Sequence, residues 1–205
     1  MRKLFQIMFM LCMVIFTAQP AFAGSSQQPQ QQQEQQTETI TDGADLSAIR
    51  IIAVGYPRYT PVAATDPSYS HLIQIIHKAG KVSKCQVLSF DEVADCIRKD
   101  KRLNIKTIDE KKAMEEFKKY VDDYADAYLI VWVANNSRTS FFFDVYKSGT
   151  NELLYTCEVI ASKYAKDSEY TFTDLTEQFY KKFDNAAEKQ RKEREKAAKK
   201  AASKH

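Results

Sequence analysis

The chain has 205 residues, 30 Lys+Arg against 27 Asp+Glu, and a formal net charge of +3. Setting aside Arg2 and Lys3, and a basic C-terminal stretch from Asp184 with 8 basic and 4 acidic residues, about −3 remains on the rest, which excludes a nucleic-acid surface on the domain itself. Only four cysteines are present, and one of them, Cys12, falls in the apolar leader, so a framework of disulfides is excluded as well.

The first residues read as a secretory signal. Arg2 and Lys3 supply the positive start, and Leu4 to Thr17 is apolar with one break at Gln6. Pro20 ends the run, and Ala21-Phe22-Ala23 offers small residues at the positions a signal peptidase inspects, so cleavage is expected near Ala23. The run is shorter than the roughly 20 residues a spanning helix needs. Cys12 lies inside it behind Met10-Leu11, without the small residue that lipidation sites require. The expected location is therefore the periplasm, or the outside.

Residues 24–45 read as a disordered linker. Gln27 to Gln36 is glutamine broken by Pro29 and Glu34, with too little apolar surface to offset the cost of ordering the chain. One α/β domain over 46–183 is expected next. Ile49 to Val54 predicts a buried strand. Tyr56 to Tyr69 is a loop with Pro57, Pro61 and Pro67, and Asp66-Pro67 reads as the start of a helix bearing Leu72, Ile73, Ile76 and Ala79, ended by Gly80. Cys85 to Leu88 predicts a strand. Ser89 and Glu92 have capping-box spacing for a second helix, Leu103 to Ile108 is ambiguous with a short strand as its reading, and Asp109 caps a third helix.

Tyr128 to Val133 is apolar at every position and predicts a central strand sheltered by helices on both faces. Thr139 to Tyr146 and Leu153 to Ile160 predict a hairpin around Gly149. Phe141, Phe143 and Val145 would share one face; Phe142, Asp144 and Tyr146 the other. A last helix is expected near Asp174, burying Leu175, Phe179 and Phe183 before a charged, basic helical tail over 184–205. The sum is an α/β fold: a mixed sheet of about five strands with helices packed on it and a long C-terminal helix.

This layout resembles the small envelope α/β domains typified by the TolB amino-terminal domain, the curli-secretion protein CsgG and the lipoprotein activators of peptidoglycan synthases. The resemblance rests on Ile51 to Val54, on Ala127 to Trp132, and on the hairpin Phe143 to Tyr146 with Ser148 to Leu154. It implies a non-catalytic adaptor that binds other envelope proteins. It carries over no site residues, because these patterns are not site motifs.

Chemistry-bearing motifs are sparse in the sequence. His71 and His77 sit six apart on one helix, about 240° around its axis, so they cannot grip one ion together. Asp122, Asp123 and Asp126 cluster without the alternating ligands of a calcium loop. The glycines of the domain are isolated, which argues against a phosphate cradle. A thiol hydrolase would draw on Cys85 or Cys157 with His71 or His77. Cys85 and Cys96 would pair if their elements faced each other; otherwise all three domain cysteines read as small buried residues. The expectation is no metal, no cofactor and no enzyme.

Two regions read as binding surfaces. Tyr56, Arg58, Tyr59 and Tyr69 combine the residue types enriched at interface hot spots with a loop stiffened by proline. They are expected to dock an envelope protein, unless the tyrosines simply cover the sheet edge. In the tail, Lys189, Arg191, Lys192, Arg194, Lys196, Lys199 and Lys200 outnumber the acids. They would contact an anionic surface weakly, or else be a solvated helical extension. The functional expectation is an exported, non-catalytic interaction module. The alternatives are an exported enzyme, or a wall- or surface-binding protein acting through the tail.

Overall fold

The protein is represented by a computed structural model that describes residues 37–61, 66–135, 138–163, 165 and 168–203. The expected signal peptide, its cleavage site and most of the glutamine-rich linker lie outside these residues. The described elements are β1 (Glu38–Ile40), β2 (Ile51–Val54), α1 (Tyr69–Ala79), β3 (Gln86–Leu88), α2 (Phe90–Lys101), α3 (Glu110–Tyr120), β4 (Ala127–Asn135), β5 (Thr139–Lys147), β6 (Leu153–Ile160) and α4 (Glu169–Ala202).

β2 is a continuous apolar run because it is covered on both sides. It lies parallel between β3 and β4, and the antiparallel strands β5, β6 and β1 extend the sheet to give the order β1-β6-β5-β4-β2-β3. The α/β architecture, the mixed sheet and the long last helix are as the sequence predicts. The strand count is six rather than five. The extra strand, β1, comes from residues assigned to the linker. It carries no apolar alternation and is held by backbone bonds: Thr41 N donates to Leu154 O at 3.0 Å and Glu158 N to Thr37 O at 2.8 Å.

Capping decides where the helices begin. At α2 the Ser89 hydroxyl accepts from Glu92 N, and the Glu92 carboxylate accepts from Ser89 N at 2.7 Å, closing the expected box. Asp109 caps α3 through Lys111 N and Lys112 N. Two starts differ from expectation. Ser68, not Asp66, caps α1. Ser168, not Asp174, caps α4; the helix reaches further back because Phe172 is buried against Phe141, ring centroids 5.0 Å apart. Residues 103–108 form no strand, but a single 3-10 turn, Ile105–Thr107, started by Asn104.

Strand alternation divides the core into two layers. On one side of the sheet Val54, Leu129, Val131, Phe141, Phe143 and Tyr155 pack under α1 and α4. Phe143 stacks on Phe179 with centroids 4.3 Å apart. On the other side Ala53, Tyr128 and Ile130 meet Phe90, Val93, Ile97 and Phe117 of α2 and α3. The first layer spans β2 to β6. The second covers β2, the start of β4 and Tyr146 of β5.

That asymmetry corrects the expectation for Tyr128 to Val133. Tyr128 and Leu129 are fully buried, but Trp132 is 41% exposed. Shelter from both sides holds only for the first half of β4; at its second half an open groove separates Trp132 from α3. Of the three described cysteines, all free, Cys157 is buried and Cys85 half-buried, while Cys96 is exposed rather than a core residue.

Candidate functional site

The loop after β2 continues beside β4 instead of leaving the sheet. Gly55 N donates to Leu129 O at 2.9 Å, Arg58 N to Val131 O at 2.7 Å, and Val133 N to Arg58 O at 3.0 Å. Glycine eases the close approach at position 55: a Cβ there would press on the side-chain ends Ile130 Cδ1 at 2.7 Å and Met114 Cε at 3.0 Å and stand 3.3 Å from the Leu129 carbonyl oxygen. The resulting parallel bridge places Arg58 opposite Trp132. Its guanidinium lies over the indole, 4.0 Å from the ring centroid, a favourable cation–π contact.

Trp132 opens onto a half-face of the sheet that no described helix covers. In register, Trp132 pairs with Phe142, and Phe142 with Glu158; one step along, Ile130 pairs with Asp144, and Asp144 with Thr156. Thr156 Oγ1 donates to Asp144 Oδ1 at 2.8 Å. Phe142 is 36% exposed. Tyr146 stacks on Tyr128 with centroids 5.2 Å apart, and burial, with Asp144 second, raises the pKa of its phenol. Two exposed aromatic rings with an arginine across one of them, framed by carboxylates and hydroxyls, make an apolar centre with a polar rim.

Between this face and α3 runs an open groove of about 530 Å³, walled by Tyr56, Arg58, Met114, Ile130, Trp132 and Tyr146. Tyr56 and Glu110 also line an adjoining groove that contains Tyr69. Tyr56 stacks on Phe90 at 4.0 Å, and Tyr69 Oη donates to Glu110 Oε1 at 3.1 Å. Burial first, and Glu110 second, pushes the Tyr69 phenol well above its ordinary pKa.

Of the four loop residues predicted to bind, the structure thus brings Tyr56, Arg58 and Tyr69 to one side. Tyr59 is turned to the other: it packs edge-on to Phe172 and donates to Pro67 O at 3.0 Å. Sequence reasoning did not single out Trp132 and Phe142. The signal available was an aromatic ring at the distal end of each strand, on the face away from Val131 and Phe143.

A further cavity of about 860 Å³ lies at the opposite end of the sheet, near Asp42, Asp45, Asp126 and Glu152. Two of those carboxylates hold the fold together. Asp126 accepts from Arg50 N and Ile51 N at 2.7 and 2.9 Å, and Asp45 pairs with Arg194. Among the described residues no His/Cys/Asp/Glu group is arranged to hold a metal ion.

His77 and Cys85 share the wall of a shallow cleft of about 290 Å³. The Cys85 thiol donates to Ile49 O, and burial, with Asp184 second, pushes its pKa up to about 11. An attacking thiol needs the opposite shift. His77 Nε2 faces Glu92 at 3.4 Å, and His71 Nε2 faces Glu169 at 3.2 Å.

The fold and this site define a class: an α/β sandwich with one sheet face covered by α1 and α4 from β2 to β6 and one half-open aromatic face. No family model matches the chain, and no curated protein is significantly similar to it in sequence. Among solved structures it is similar to the PelC dodecamer from Paraburkholderia phytofirmans, at 13% identity over 73% of this chain and 97% of that one, with a TM-score of 0.42. It is also similar to lipoprotein GNA1162 from Neisseria meningitidis, at 12% identity over 66% and 99% with a TM-score of 0.39. The LpoB C-terminal domain from Escherichia coli matches at 11% over 59% and 87%, with a TM-score of 0.37. At these values the function has to be read from this chain's own residues.

Proposed function

We propose that this chain is an exported, non-catalytic protein-interaction module of the bacterial cell envelope. The partner, an envelope protein, docks on the open half-face of β4, β5 and β6. The observation that carries the reading is Trp132 and Phe142, side by side and exposed, with Arg58 laid across the indole. Tryptophan and arginine dominate interface hot spots. The half-face and the groove beside it are open to solvent, so they offer a protein surface more purchase than a small molecule, which needs enclosure. The leader over Arg2 to Ala23 supports export, and the resemblance to TolB-type and CsgG-type domains supports an adaptor role.

A photo-crosslinking amino acid at Phe142, in the native host, tests this. One envelope protein is expected to be captured there and not by the same probe at Tyr170, which is 83% exposed on α4. Purified, that protein should bind the chain, and Trp132→Ala should weaken binding by about 2 kcal/mol. Equal capture at both positions, or unchanged affinity for Trp132→Ala, would sink the reading.

A further inference from the structure

α4 runs unbroken over 34 residues, and its exposed side is not a random mixture of charges. At about 100° per residue, Lys181, Lys189, Lys192, Lys196, Lys199 and Lys200 fall within one arc of about 100°. Lys182 lies at the edge of the same arc, and the other described residues in it from 181 onward are Asn185 and Ser203. From 181 onward no acid falls inside it; Glu188 and Glu195 flank one side and Glu193 the other, and Lys181 and Lys192 reach the flanking Glu177 and Glu188 at 3.2 and 3.5 Å. The arc is turned away from Phe172, Phe179 and Phe183, which face the core.

The two tail arginines are engaged elsewhere. Arg191 bridges Glu188 and Glu195, and Arg194 pairs with Asp45. Together with Gln190, whose side chain accepts from Leu46 N and donates to Ala44 O, Arg194 pins the middle of the helix. From 191 to 203 every residue is exposed. The lysine row is about 30 Å long and lies on the outer side of the helix.

We infer that this row is a docking surface for an anionic phospholipid bilayer, a contact independent of the aromatic half-face. A flat sheet of headgroup phosphates meets the ammonium groups along such a ridge together, competing with Glu177 and Glu188 for Lys181 and Lys192, and each lysine near such a surface adds attraction. The row has no aromatic or leucine residue, so the helix adsorbs without inserting. Single-stranded nucleic acid is bound through aromatic stacking platforms in a groove; the ridge has neither.

The chain recovered after export from an expression host is sedimented with vesicles of phosphatidylglycerol and phosphatidylcholine, and with phosphatidylcholine alone. Binding is expected to the anionic vesicles only, in about 0.02 M salt, and to be lost by about 0.5 M. The variant Lys189→Gln, Lys192→Gln, Lys196→Gln, Lys199→Gln should partition at least tenfold less, with helix content unchanged by circular dichroism. A control of equal net charge, Lys81→Gln, Lys99→Gln, Lys111→Gln, Lys112→Gln, should bind like the wild type. Several results would overturn the inference: no binding to anionic vesicles at low salt, equal binding to neutral ones, an equal loss in both variants, or duplex DNA bound more tightly than vesicles.

Discussion

Arg58 and Trp132 are neighbours twice over: they are bridged through the backbone, and their side chains are stacked with 4.0 Å between the guanidinium carbon and the ring centroid. The loop and the strand are thereby locked as one surface. Trp132 is the sole tryptophan of the chain, so its fluorescence reports on this contact alone. Arg58→Ala is expected to shift the emission to the red and to lower stability by about 0.5–1 kcal/mol. An unchanged spectrum would mean that the stack does not persist in solution.

Gly55 sets how closely the loop can follow β4. Its Cβ direction is filled by Ile130 Cδ1 at 2.7 Å and Met114 Cε at 3.0 Å. Gly55→Ala should therefore cost about 1 kcal/mol, since the ends of Ile130 and Met114 can shift aside, and disturb the Trp132 emission. Urea denaturation measures the first effect, and the fluorescence of the folded variant the second.

Two carboxylates respond to pH with opposite signs. The pKa of Glu92 is lowered from 4.5, first by the bond from Ser89 N. Its contribution is complete above 4.5 and fades as pH falls through the lowered value. Glu92→Ala should cost about 1 kcal/mol near neutral pH, and the gap from wild type should close in acid. The pKa of Asp184 is raised from 3.8 by burial, although Lys84 N and the Ser83 hydroxyl both bond to the carboxylate. Its contribution is complete below 3.8 and declines as pH rises through the raised value. For Asp184→Asn, the wild type's advantage should therefore shrink from acid toward neutral pH. Denaturation series at several pH values check both, and parallel curves would refute the assigned signs.

Phe179 holds α4 to the sheet. It is fully buried, stacks on Phe143 at 4.3 Å, and touches Tyr180 and Phe183. Phe179→Ala should destabilise the domain by about 3–5 kcal/mol, whereas Tyr170→Ala, at an exposed position of the same helix, should be within about 0.5 kcal/mol of wild type. Thermal melts of the two variants separate these outcomes.

What the sequence determined alone was whatever short-range chemistry encodes. The capping serine and glutamate of α2, the Asp109 cap, the glycine turn of the β5–β6 hairpin and the alternation of Phe141, Phe143 and Val145 are local, and each was legible. β1 was not, because an edge strand held by backbone bonds to β6 needs no apolar pattern. The site was half legible: Arg58 and Tyr56 carry interface chemistry wherever they sit, but Tyr59 turns inward and Trp132 turns out. Only the tertiary structure could decide this, since exposure of Trp132 depends on how closely α3 approaches β4, and an open groove lies between them. The lysine row shows the same division: its residues are written in the sequence, but their alignment needs one uninterrupted helix, and their outward direction is fixed by Phe172, Phe179 and Phe183 packing on the sheet.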